Sequence, residues 1–241
     1  LDEAIFQPQW SPDGQLYFVS DHNNWWNIYR FSQGQREIII EADSEFATPL
    51  WQLGMSTYCF INAQTIGCIW TRNGLWHTGS IDISSRHLTT LDCHYTSMSS
   101  ICSYQGSVCM VAGAAALPAE LIAIDSLSAS QVIYAPASLS VDANELSEPQ
   151  TILFPSAESE QVHAFFYPPT NAHYCAEQSE RPLVIAMCHG GPTSATGSGL
   201  NLKIQYWTNR GFAVVDINYR GSTGFGRHYR QGLTNAWGVA D

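Results

Sequence analysis

Apolar and polar positions alternate differently in the two parts of the chain. Up to about residue 135 the apolar positions come in short runs bounded by turn residues, the pattern of β-strands on half-buried sheets. The first runs cover 16–20, 26–31 and 37–40. They follow the turn Trp10-Ser11-Pro12-Asp13-Gly14, where proline presets φ and glycine takes the positive-φ position leading into the next strand. A second set covers 56–60, 66–70, 77–82 and 87–91, and a third 98–101, 107–111, 121–125 and 131–134. Aligning the third strand of each set matches Ile28, Ile81 and Ile124. Those steps fall near the repeat of about 40–50 residues expected of four-stranded propeller blades. A β-sandwich also has short strands at regular spacing and stays as the competing architecture.

The texture changes over 135–149, which is small, polar and acidic. We place a domain boundary there, dividing the chain into 1–140 and 141–241. Beyond it, 150–155 and 162–167 read as a strand pair. The unbroken apolar run 182–187 reads as a buried strand ending in Cys188-His189-Gly190-Gly191-Pro192-Thr193. Leu202, Ile204, Tyr206 and Trp207 lie in a helix-length segment stopped by Asn209-Arg210-Gly211. A second buried strand follows and ends in Asn218-Tyr219-Arg220-Gly221-Ser222. This is strand, loop, helix, strand, and in open α/β sheets the chemistry sits at such strand ends.

Composition narrows the function classes. With 45% hydrophobic and 13% charged residues, most of the chain is packed interior. A net charge of −11 with only ten Lys and Arg argues against nucleic acid and anionic membrane as partners, and no apolar run reaches membrane-spanning length. The seven cysteines are scattered, form no Cys-x-x-Cys pair and fall mostly in apolar runs. The expectation is reduced, buried thiols in a cytoplasmic protein, with no zinc. A phosphate loop needs a Lys after its last glycine, the glycines at 221, 224 and 226 run in the reverse order of a dinucleotide fingerprint, and no His-Glu-x-x-His exists. No metal and no cofactor is therefore expected. The cluster His22, Asn23, Asn24, Trp25, Trp26 could be a ligand platform, but aromatics of this kind more often pack between blades.

A His-Gly-Gly loop after a strand lets backbone N–H groups face a bound atom, as in the oxyanion hole of α/β-hydrolases. Together with 216–226 (Asp-Ile-Asn-Tyr-Arg-Gly-Ser-Thr-Gly-Phe-Gly) and the segment Trp237-Gly238-Val239-Ala240-Asp241, this loop closely resembles the prolyl oligopeptidase family, in its acylaminoacyl-peptidase and dipeptidyl-aminopeptidase branch. The resemblance reaches the first part through Trp10 to Gly14. It implies a partial β-propeller of about three blades followed by the start of an α/β-hydrolase domain, and a serine-type peptidase acting on peptide substrates. It also implies that His189, Gly190 and Gly191 form the oxyanion loop, with Gly191 as donor, and that Tyr219, Arg220 and Gly221 support the pocket. No Ser in these 241 residues has Gly at both minus two and plus two. The nucleophilic Ser, the Asp and the His are expected beyond Asp241, so this chain by itself is expected to be an inactive fragment. A non-catalytic propeller module with a decayed hydrolase tail, and an esterase on the same scaffold, stay open as alternatives.

Overall fold

The computed structural model describes residues 3–51, 53–125, 129–137, 139–156, 160–177, 179–191 and 193–239. Pro192, Ala240 and Asp241 of the motifs above lie outside the described residues. Three four-stranded antiparallel sheets come first, each a meander in chain order. Sheet one holds β1 (Ile5–Trp10), β2 (Leu16–Ser20), β3 (Asn27–Ser32) and β4 (Gln35–Ile38). Sheet two holds β5 (Tyr58–Asn62), β6 (Thr65–Arg72), β7 (Leu75–Asp82) and β8 (His87–Leu91). Sheet three holds β9 (Ser97–Tyr104), β10 (Ser107–Ala114), β11 (Leu117–Asp125) and β12 (Ala129–Tyr134).

Turn chemistry fixes the hairpins. Gln33-Gly34, Asn73-Gly74 and Gln105-Gly106 each place two successive residues at positive φ, the two-residue turn whose twist matches that of the flanking strands. Strand β4 sits two residues earlier than the apolar run 37–40 suggests. The reason is that Ile39 and Ile40 both direct their N–H to the Ile28 carbonyl, leaving the ladder there.

Stacking of the sheets buries the alternate side chains. Tyr17, Val19, Ile28 and Trp26 of the first sheet region pack with Tyr58, Phe60, Ile66, Cys68 and Ile81 of the second. Cys59 and Ile69 pack with Met98, Ile101, Val108, Met110, Ile122 and Ile124 of the third. The matched residues Ile28, Ile81 and Ile124 are all buried on third strands. Each such side chain contributes about 1.5–3 kcal/mol. Three separate stacked meanders rule out the two-sheet sandwich; they do not close a ring. Of the aromatic cluster, Trp26 is buried in the core between the first two sheets, Trp25, Asn23 and Asn24 are half-buried, and His22 is exposed.

The fourth sheet is mixed, with order β13-β14-β16-β15. Strand β13 (Gln150–Pro155) pairs antiparallel with β14 (Gln161–Tyr167). Strand β15 (Val184–Cys188) connects through α1 (Leu202–Thr208) to β16 (Ala213–Asn218), and the two run parallel. Helix α2 (Gly226–Gln231) follows. Phe165, Tyr167, Ile204 and Val214 form its core, joined by Ala115 from sheet three.

Two expectations are corrected here. The apolar run of β15 predicts burial on both faces, yet Val184, Ala186 and Cys188 are exposed, because β15 is the edge strand with one face uncovered. The cysteines divide as well: Cys59, Cys68 and Cys109 are buried, whereas Cys102, Cys175 and Cys188 are exposed, on edge strands β9 and β15 and in the loop after β14. Among the described residues no helix is long and apolar enough to cross a membrane.

Candidate functional site

The loop after β15 starts with His189, whose ring is held on three sides. It stacks on Tyr219 with centroids 4.5 Å apart. Its Nδ1 lies 3.0 Å from the Gly190 carbonyl and its Nε2 2.7 Å from Ser222 Oγ. A carbonyl can only accept, so Nδ1 carries the proton, and the Ser222 hydroxyl donates to Nε2. This is the hydrogen-bond pattern of a Ser–His pair, but Ser222 is fully buried. A nucleophile must meet its substrate, so the pair fixes the ring's tautomer and position and does no acyl transfer.

Gly191 has φ 109°, a conformation that L side chains rarely adopt, which is why glycine is needed there. Among the described residues nothing accepts a hydrogen bond from its N–H. Farther along, the loop is pinned by the end of β16. Thr223 N–H donates to the Ser194 carbonyl at 2.9 Å, and Thr196 N–H to Asn218 Oδ1 at 2.8 Å. Thr196 Oγ1 also donates to Asp216, whose carboxyl burial pushes above the usual carboxylate range, against the lowering effects of that hydroxyl and of His189. Ser198 Oγ donates to the Thr96 carbonyl at 2.8 Å, tying the loop to sheet three. From the other side the Trp51 indole N–H donates to the Thr193 carbonyl at 2.8 Å. A backbone N–H without an acceptor, on an exposed residue of a loop fixed on both sides, can bind a developing negative charge without reorganising.

Of the residues predicted around the pocket, Tyr219 lies directly on His189. Arg220 runs to Glu160 Oε2 at 3.0 Å, on the turn between β13 and β14. Gly221 N–H donates to the Tyr229 carbonyl at 3.0 Å, so that residue backs onto α2. The sequence reading missed Trp51. It is a single tryptophan in the linker between sheets one and two, and no periodicity marks it.

A second polar junction joins the mixed sheet to sheet one. Buried Asn27 donates to the carbonyls of Ala42 and Ser44 and so sets the linker that carries Glu45. The buried Glu45 carboxylate accepts from Trp26 N–H at 2.7 Å and from Gly226 N–H at 2.9 Å. Burial pushes its carboxyl up, opposed by those two N–H groups and by Arg230. Arg230 pairs with buried Asp21 and lies over the Trp26 ring at 4.1 Å. The Asn24 carbonyl and Oδ1 accept from Arg227 and His228 N–H, which begin α2.

A cavity of about 970 Å³ lies elsewhere, lined by Tyr174, Cys175, Arg181, Arg210 and Phe212 among others. Leu183 and Gly211 place it at the N-terminal ends of the parallel strands, the end opposite to where open α/β sheets keep their chemistry. Among the described residues no three His, Cys, Asp or Glu are grouped to hold a metal.

Residues 198–241 match the model of the prolyl oligopeptidase family. A dipeptidyl aminopeptidase BIII from Pseudoxanthomonas mexicana is 41% identical over 56 residues, 23% of this chain and 8% of that protein. A puromycin-hydrolyzing peptidase from Mycobacterium tuberculosis has a structure that superposes on the whole chain with a TM-score of 0.93 at 32% identity. The chain spans 38% of its length. A puromycin hydrolase gives a TM-score of 0.91 at 32% identity over 99% of this chain and 37% of its own. The likeness takes in the three meanders, which resemble the propeller region of such peptidases. Motif, relatives and whole-chain likeness agree in what they resemble: the chain is similar to the prolyl oligopeptidase family of peptidases.

Proposed function

We propose that this chain supplies one oxyanion donor and the facing wall of the active site of a serine peptidase that hydrolyses short peptides, releasing N-terminal acylaminoacyl or dipeptidyl units. Residues 1–140 are read as three propeller blades and 141–241 as the opening of an α/β-hydrolase domain. The observation that carries the reading is the unpaired Gly191 N–H, held by a loop that His189, Ser222, Ser194 and Trp51 fix in place. When a nucleophile attacks the peptide carbonyl, the oxygen gains negative charge and this N–H donates to it. His189 and Gly190 shape the loop. The nucleophile, its general base and the orienting acid come from residues outside these 241. By the same reading the protein works without metal or cofactor, in the cytoplasm, on peptides small enough to pass the blades.

Testing the donor needs care, because Gly191 sits at φ 109°. Proline there deletes the N–H but also forces φ to about −65°, so its effect would be ambiguous. Replacing the 191 amide by an ester in the full-length protein removes the N–H alone. Turnover should fall about a hundredfold with KM little changed. An ester variant with full turnover would place the oxyanion hole elsewhere. The 241-residue chain alone should resist labelling by a fluorophosphonate. Labelling at Ser222 would overturn its reading as a buried positioning group.

A further inference from the structure

We infer that Trp51 forms part of the substrate cleft and selects for an aromatic or large apolar side chain on the residue whose carbonyl is attacked. The inference rests on the reading of Gly191 as oxyanion donor and adds to it a specificity element from the blade region. The linker after β4 is anchored in the core by Phe46 and by Glu45, whose backbone exchanges hydrogen bonds with Thr71. It then leaves the core at Pro49. Past that point Leu50 and Leu53 are exposed, and the Trp51 side chain is 62% exposed, against 5% for Trp26 and 4% for Trp70.

An exposed indole is ordinarily free to swing, but this one is tied by its N–H and lies beside Gly191. Its N–H donates to the Thr193 carbonyl at 2.8 Å, and its Cζ2 lies 3.8 Å from where a Cβ on Gly191 would stand. The polar edge is thus satisfied within the loop, and the benzene edge is set against the proposed donor residue. The open ring surface stands beside the place where the scissile carbonyl would bind. A flat apolar surface with its only polar group already bonded offers nothing to an anionic or small polar group. It does offer stacking or edge contact to an aromatic or branched side chain.

The test uses the full-length protein and short peptides that differ only in Phe, Leu or Ala at the attacked residue. Trp51→Ala frees one anchor of the loop and should lower kcat on both peptides alike, and it should lower kcat/KM on the Phe peptide about tenfold further, through KM. Trp51→Phe keeps a ring but loses the N–H bond to Thr193, and should keep the preference for Phe over Ala. Because Trp51 is exposed, both variants should melt at the wild-type temperature. An equal fall on the Phe and Ala peptides, or no change on either, would overturn the inference. The Gly191 ester separates this from the reading beneath it, since it should lower kcat on both peptides alike. A neutral ester with preference still lost in Trp51→Ala would keep Trp51 in the cleft and remove Gly191 as donor. A damaging ester with preference intact in Trp51→Ala would defeat the Trp51 inference alone.

Discussion

Strands β6 and β15 are written in nearly the same language and live in different surroundings. Residues 66–70 of β6, Ile-Gly-Cys-Ile-Trp, are all buried, because sheets one and three cover both faces. Residues 184–188 of β15, Val-Ile-Ala-Met-Cys, alternate between exposed and half-buried. A strand that is apolar at every position asks for cover on two sides. In the meander region neighbouring sheets provide it, and in the mixed sheet β15 receives it on one. The mixed sheet makes several polar contacts with the meander sheets: Glu45 to Gly226, Asp21 to Arg230, Asn24 to the start of α2, Ser198 to Thr96. The meander sheets hold together mainly by apolar burial, and the junction adds directed hydrogen bonds to the apolar contact of Ala115 with Phe165 and Tyr167.

The comparison breaks most sharply in the blade core. Ile81 is fully buried between sheets one and two. Ile81→Ala removes three carbons and leaves a cavity, and should cost about 2–5 kcal/mol in urea unfolding. A loss below about 1 kcal/mol would mean that the sheets slide together to refill the space, contrary to tight packing.

The junction should answer to chemistry, not to volume. In Glu45→Gln the side chain keeps its size, but one of the two N–H groups, Trp26 or Gly226, now faces an NH₂ group. A buried donor left without an acceptor costs about 1–3 kcal/mol. Thermal melts should show that loss, and limited proteolysis should show α2 opening first. An unchanged melt would reduce the junction to ordinary surface contact.

How much of this was legible in the sequence follows the same division. These local elements announced themselves because their causes are local: the Trp10 to Gly14 turn, the paired 150–155 and 162–167 strands, the glycine-rich loop after 187. The triple Ile28, Ile81 and Ile124 was readable because burial repeats with the blade. Helix α2 was not readable. Its sequence, Gly-Arg-His-Tyr-Arg-Gln, has no apolar periodicity, and its first N–H groups are met by Glu45 and Asn24, more than 180 positions away in the chain. Ser222 was visible only as a serine outside any elbow. That it holds the His189 ring depends on two loops meeting. Trp51 carried no local signal, since its meaning comes from Thr193 and Gly191 across the junction.

A smaller effect tests pH. His163 on β14 stacks on Phe225 at 4.0 Å and meets the edge of Tyr229, and burial holds its pKa below the usual 6.5. The folded state therefore prefers the neutral ring. That preference is complete above about pH 6.5 and is lost as pH falls through the lower folded value. Glu45 and Asp216 act in the opposite sense: their raised carboxyls make folding easier as pH falls through them. The difference between wild type and His163→Phe isolates the histidine. The variant should lose less stability than wild type between pH 7 and pH 5. Parallel stability curves would show that His163 is solvated.

The smallest expected effect bears most directly on β15. Val184 is 57% exposed, and Val184→Thr keeps the β-branch and nearly the volume while replacing a methyl with a hydroxyl. In the 241-residue chain that hydroxyl meets water, so the substitution should shift stability by no more than about 0.5 kcal/mol. The α/β-hydrolase reading makes a different demand on the full-length protein, where the open face of β15 is proposed to be covered. There the hydroxyl would be buried among apolar groups, and the same substitution should cost about 1–3 kcal/mol. A negligible cost in both settings would mean that the apolar run 184–188 is an ordinary edge strand, and the proposed hydrolase domain would lose its support from this strand. A cost already present in the short chain would mean that the face is covered within these 241 residues, and the contrast between β6 and β15 would fail.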